Sequence, residues 1–183
     1  MENDFNLCPK CGSKKIQNKN NRKWFCPDCQ FDLYNNVAAA AGVIISDKNN
    51  NVLFEIRAKE PRKGFAALPG GFIDADETAE EAAKRECCEE IGADVQNIKY
   101  VCSFPNTYEY RGIVYKTCDM FFTAELAGQY DDMETLIKSL KAEESEVTSL
   151  VYYKIDSEED VDLIPIAFDS SKKTLKKWVR ERK

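Results

Sequence analysis

Downstream of Asn36 the chain alternates apolar runs with polar punctuation. The stretch "VAAAAGVIISDKNNNVLFEIRAKEP" holds two apolar runs split by "DKNNN", which predicts a hairpin. "YVCSFPNTYEY" and "IVYKTCDMFFTAEL" are two further β-rich runs around Arg111 and Gly112, and "EVTSLVYYKI" is another. Helical spacing marks "TAEEAAKRECCEEIG" and, more weakly, "METLIKSL". It returns at the C-terminus, where Leu175, Trp178 and Val179 recur at three and four residues and predict a terminal helix with one packing face. Strands interrupted by one central helix and closed by another predict an α+β fold or mixed α/β sandwich. Ahead of it, "KKIQNKNNRKWFC" reads as two short strands around an Asn-rich turn. The texture thus divides the chain into a small module, 1–35, and a main domain, 36–183.

The central helix has an unusual face. Thr78 followed by Glu81 forms a capping box and Gly92 supplies a stop, so the helix is expected over residues 79–91. At about 100° per residue, Ala79, Ala82, Ala83, Glu86, Glu89 and Glu90 fall on one stripe, with Glu80, Glu81 and Lys84 opposite. Small residues that would pack against a sheet therefore lead into three carboxylates. Three inward glutamates repel one another and lose hydration unless a cation joins them, and oxygen ligands at this density suit Mg2+ or Mn2+. Cys87 lies beside the stripe as a small packing residue, and Cys88 points away.

Cysteine spacing changes the picture of the first module. Cys8, Cys11, Cys26 and Cys29 form C-x2-C-x14-C-x2-C, two knuckles that suit one tetrahedral structural Zn2+ site, so the module resembles a zinc ribbon. Some 35 residues bury too little apolar surface to fold alone, and the metal would supply the missing energy. The 183 residues include no histidine, which excludes Ser-His-Asp and Cys-His catalysis and imidazole bases. No apolar run reaches membrane-span length and no signal-peptide layout opens the chain, so a cytoplasmic protein is expected. Residues 1–36 carry six basic and four acidic side chains, and the remainder carries 20 and 28. Nucleic acid is therefore disfavoured as a partner, and divalent cations are favoured. A homodimer stays open.

The residues from Gly71 onward, "GFIDADETAEEAAKRECCEEIGA", resemble the Nudix box G-x5-E-x7-R-E-U-x-E-E-x-G-U, with U an aliphatic residue. Every fixed position matches: Gly71, Glu77, Arg85, Glu86, Glu89, Glu90 and Gly92, with Cys87 and Ala93 at the U positions. The resemblance extends to "RAKEPRKGFAALPGGF" and covers Val37 to about Asp160. It implies a mixed α/β/α sandwich and Mg2+- or Mn2+-dependent hydrolysis of a nucleoside diphosphate linked to another moiety. It further implies that Glu86, Glu89, Glu90 and the carbonyl of Gly70 hold the metal and position the attacking water. Arg85 would orient the glutamates and Glu77 would brace the loop. Many members add a carboxylate from a later loop; "KAEESEV" offers Glu143, Glu144 and Glu146, with Glu144 the first choice.

A ribbon followed by this box is similar to the layout of bacterial NADH pyrophosphatases. Their SQPWPFPxS motif is missing, and its counterpart reads "CSFPNTYEYRG". ADP-ribose and ADP-sugars are therefore expected ahead of NAD(H), with nucleoside triphosphates behind. Phe104, Tyr108 and Tyr110 are candidates to stack on a base. Arg57, Lys59, Arg62 and Lys63 are candidates for the distal phosphate. The rival reading is a nucleotide-sensing regulator that binds without turnover, and the complete glutamate set argues against it.

Overall fold

The computed structural model describes residues 5–128, 130 and 132–182. Its elements in chain order are β1 (Gln17–Lys19), β2 (Lys23–Phe25), β3 (Asp32–Tyr34), β4 (Ala38–Ile45), β5 (Asn51–Arg57), β6 (Ala66–Ala67) and β7 (Gly70–Phe72). There follow α1 (Ala79–Ile91), β8 (Val95–Tyr110), β9 (Ile113–Leu126), α2 (Met133–Ser139), β10 (Val147–Lys154), α3 (Glu158–Leu163) and α4 (Asp169–Glu181). The chain divides into two compact units, residues 1–37 with 107–116, and 38–106 with 117–183.

In the first unit the two cysteine knuckles share one construction. In each, the amide four residues on closes onto the carbonyl of the first cysteine: Gly12 N–H donates to Cys8 at 2.8 Å and Gln30 N–H to Cys26 at 2.8 Å. Both closing residues are left-handed, with φ of 71° and 59°. Glycine adopts that conformation without cost, and Gln30 takes it because the loop demands it. β2 pairs antiparallel with β1 through Asn20 and Asn21, both at φ 55°, and then with β3, a third strand that the sequence pattern does not predict. Residues 107–116 are the tip of the β8–β9 hairpin. Its two-residue loop, Arg111 and Gly112, has positive φ at both positions, the twist that matches flanking strands.

The second unit has one four-stranded sheet, ordered β7-β4-β9-β8, and one three-stranded sheet, ordered β10-β5-β6. The expected hairpin across "DKNNN" does not form as a ladder. β4 runs parallel to β9 in one sheet while β5 pairs with β10 and β6 in the other, and only a Ser46 to Val52 bridge links them. The turn itself is tight, the Asp47 carboxylate accepting from the Asn49 and Asn51 amides at 2.8 and 2.9 Å, but β9 and β10 draw the two strands into different sheets.

Alternation along the strands sorts side chains to two cores. Ala41, Val43 and Ile45 of β4, Leu53 of β5 and Phe122 and Leu126 of β9 pack with Ala82, Ala83, Cys87 and Ile91 of α1. Ile44, Val52, Phe54 and Phe121 face the other way, onto Val161 of α3 and Leu175 and Val179 of α4. This is the expected helix, sheet, helix layering. The alanines and Cys87 on α1 are small enough to bring the helix close to the sheet, which carries its next turn to the site.

Candidate active site

The capping box of α1 forms as the sequence predicts, and Gly92 ends the helix at φ 65°. Beyond Ala82 and Ala83 the same face presents Glu86 and Glu90, with side chains 13% exposed for Glu86 and the whole residue 7% exposed for Glu90. Glu89 stands at the rim, its side chain 60% exposed. The Gly70 amide donates to Glu90 Oε2 at 2.7 Å. Two adjacent glycines make this approach possible for different reasons. A Cβ on Gly70 would sit 2.1 Å from the Ala41 carbonyl oxygen, at φ 146°, whereas one on Gly71 would sit 2.4 Å from Glu86 Oε1.

Arg85 joins the carboxylates. Its Nε and Nη2 form a fork on Glu77 at 2.9 and 3.0 Å, Nη1 donates to Glu86 at 2.8 Å and Glu89 at 3.1 Å, and Nη2 also reaches the Phe72 carbonyl at 3.0 Å. The guanidinium's five N–H donors are all engaged, a geometry no lysine reproduces. The hydrogen bond from Arg85 holds the Glu77 carboxyl below its usual range. Burial lifts Glu86 above it, against the pull of Arg85. Burial pushes Glu90 up to about 7, although the Gly70 N–H works the other way.

The later loop is tied to this helix. Glu143 N–H donates to the Glu90 carbonyl at 2.9 Å and Lys141 N–H to that of Ile91 at 3.3 Å, and the Glu146 carbonyl accepts from Ala58 at 2.8 Å. This anchoring brings Glu146 into the electrostatic field of Glu86 and Glu90. Glu144, the first choice from the sequence, and Glu146 are both exposed.

Glu55, on β5, is 2% exposed, its carboxyl lies within hydrogen-bonding reach of Glu90, and its Oε2 has no donor. Its place in the inward alternation beside Leu53 was the available signal. The stacking candidates separate: Phe104 packs against the α4-side core, while Tyr108 and Tyr110, with ring centroids 6.4 Å apart, lie in the first unit. Arg57 Nε is held by the Pro61 carbonyl at 2.9 Å and its guanidinium lies 5.2 Å from the Phe168 ring. Lys59 pairs with Glu146 at 2.9 Å, and Arg62 lies over Phe65.

In the first unit the sulfurs of Cys8, Cys11, Cys26 and Cys29 lie within 4.8 Å of one another, with the Cys8–Cys29 and Cys11–Cys26 pairs at 3.7 Å. A tetrahedral thiolate site with metal–sulfur bonds of about 2.3 Å places its sulfurs about 3.8 Å apart, so the cluster fits one ion. The α1 donor set, Glu86, Glu89 and Glu90 with the Gly70 carbonyl, suits a different kind of ion, because it is all oxygen.

The NUDIX domain family matches residues 37–172, and the chain belongs to it. The chain is 27% identical over 161 residues to the NAD-capped RNA hydrolase NudC of Vibrio atlanticus, covering 88% of this chain and 54% of that protein. It is 44% identical over 88 residues to the ADP-ribose pyrophosphatase of Methanocaldococcus jannaschii, covering 48% of each. The chain thus spans about half the length of the curated relatives it matches. A NUDIX hydrolase structure from Nitrosomonas europaea superposes with a TM-score of 0.67 at 24% identity, over 97% of this chain and 92% of that one, a likeness of fold. Among the described residues, no helix is long and apolar enough to cross a membrane.

Proposed function

We propose that this chain hydrolyses the pyrophosphate bond of a nucleoside diphosphate linked to another moiety, with Mg2+ or Mn2+ at the α1 carboxylates and a structural Zn2+ at the four cysteines. The observation that carries the reading is the convergence of Glu86 and Glu90, both shielded from solvent, with Glu89 at the open rim and Gly70 beneath them. Mutually repelling carboxylates are expensive to hold this way unless a cation is part of the site. The bound divalent ion would neutralise pyrophosphate oxygens and make a water more acidic, which removes any need for histidine. Glu86, Glu89 and Glu90 would hold it together with the Gly70 carbonyl. Arg85 fixes the carboxylate rotamers, Glu77 braces Arg85, and Glu144 or Glu146 would supply the later-loop carboxylate, with the electrostatic link to Glu86 and Glu90 favouring Glu146. Glu89, with free oxygen surface at the rim, is suited to orient the attacking water and accept its proton.

For the substrate, the relatives' names support ADP-ribose and NAD-type compounds. Lys59, Arg62 and Lys63 are suited to the distal phosphate, because the Lys59 ion pair is solvent-exposed and weak enough to exchange for a ligand. The stacking role for Phe104, Tyr108 and Tyr110 remains part of this proposal. The test is a hydrolysis panel of ADP-ribose, NADH, ADP-glucose, NAD-capped RNA and dNTPs, with Mg2+ or Mn2+ and with chelator. AMP plus a phosphorylated partner, released from the ADP-linked compounds only with metal, is expected. Tight binding without turnover across the panel would favour the sensor reading instead.

A further inference from the structure

The buried acid on β5 is used by none of the roles assigned so far. Alternation along that strand sends Leu53 and Glu55 to the same side, and Leu53 sits in the core against α1. Glu55 therefore occupies a position that this pattern gives to an apolar side chain. It is nevertheless a carboxylic acid, 2% exposed, against a second one, Glu90, that is 7% exposed. The Gly70 N–H at this pair is committed to Glu90, and Glu55 Oε2 meets no donor. The neighbouring cation, Arg57, donates Nε to the Pro61 carbonyl and lies against Phe168. Glu146 adds further negative charge to the same region. A buried acid without a donor, facing another acid, has a ready partner in whatever cation joins Glu90.

We infer that Glu55 belongs to the divalent-cation site, closing it from the sheet side opposite the α1 glutamates. Glu55 would join Glu86 and Glu90 on the shielded side of the ion and strengthen its hold, with Glu89 completing the set at the rim. The inference rests on the reading of α1 as a cation site, and the experiment separates the two. Mn2+ alone is titrated into zinc-loaded, substrate-free protein, and free Mn2+ is read by electron paramagnetic resonance, for wild type, Glu89→Gln and Glu55→Gln. The amide of the last variant keeps the shape and can donate an N–H to Glu90, so it mimics a bridge made by a proton. The expected result is a Kd for Mn2+ raised about tenfold or more in Glu55→Gln, about 1.4 kcal/mol or more, with an unchanged or raised Tm in metal-free buffer. A Mn2+ affinity equal to wild type in a folded Glu55→Gln, with loss in Glu89→Gln, overturns this inference alone. Wild type that binds no Mn2+ strikes the reading of α1 itself. Should Glu55→Gln fail to fold, Glu55→Met goes through the same titration: weakened Mn2+ binding supports the inference, and wild-type affinity overturns it.

Discussion

Replacing Gly71 by alanine isolates the placement of one carboxylate. Gly71 does not have positive φ, so the backbone accepts alanine, and the whole effect is steric. The new Cβ would lie 2.4 Å from Glu86 Oε1, 2.7 Å from its Cδ and 3.0 Å from Oε2. Ordinary van der Waals contact begins near 3.4 Å, so the carboxylate must retreat by about 1 Å. It is the end of a flexible side chain and can move, at the expense of its 2.8 Å hydrogen bond from Arg85. The stability cost should be about 1–2 kcal/mol, a Tm shift of about 2–8 °C for a chain of this size. A 1 Å misplacement of a catalytic group costs about 10²-fold in rate. The assay is kcat for ADP-ribose with Mg2+ alongside thermal unfolding. Gly71→Ala with a small Tm shift and kcat reduced about 10²-fold is expected; wild-type kcat would refute the reasoning that Glu86 must stand where it does.

Cys26→Ser should release zinc, seen by elemental analysis, and loosen the first unit, because three thiolates leave the tetrahedron incomplete. Arg85→Lys should lower both Tm and kcat, since an ammonium cannot hold the Glu77 fork and reach Glu86 and Glu89 together. Asp47→Ala should cost about 1–2 kcal/mol at pH 7 by urea unfolding, with the turn amides and Met133 N–H losing their acceptor. Burial works to raise the Asp47 carboxyl, but these hydrogen bonds prevail and lower it. Its contribution is therefore complete above the unfolded value of about 3.9 and lost as pH falls through the folded one, so the gap between mutant and wild type should close at acid pH.

Local signals made the centre of the fold legible. The capping box, Gly92 and the alanine stripe fix α1 by short-range chemistry, and the residues written on that helix reach the site because its small face packs against the sheet. Partnership between distant segments was not legible. The apolar runs around "DKNNN" look like a hairpin because each is a good strand, but which sheet a strand joins depends on residues far along the chain, here those of β9 and β10. Ser170 and Thr174 are buried on α4 because Asp119 accepts from Ser170 at 2.6 Å and Cys102 donates to Thr174 at 3.4 Å, contacts no helical periodicity announces. α3 was missed because six residues are too few to show a period. Glu55 was not legible, because a lone acid in a strand reads as solvated until its neighbours are known.

The most direct test of the central claim is the turnover of Glu89→Gln. The side chain is 60% exposed and the change is isosteric, so the fold should be untouched and any loss reports chemistry. Measured on ADP-ribose and NADH with saturating Mg2+ or Mn2+, kcat should fall about 10²-fold or more while the unfolding midpoint stays at the wild-type value. Wild-type kcat in both metals would contradict the assignment of α1 as the catalytic helix.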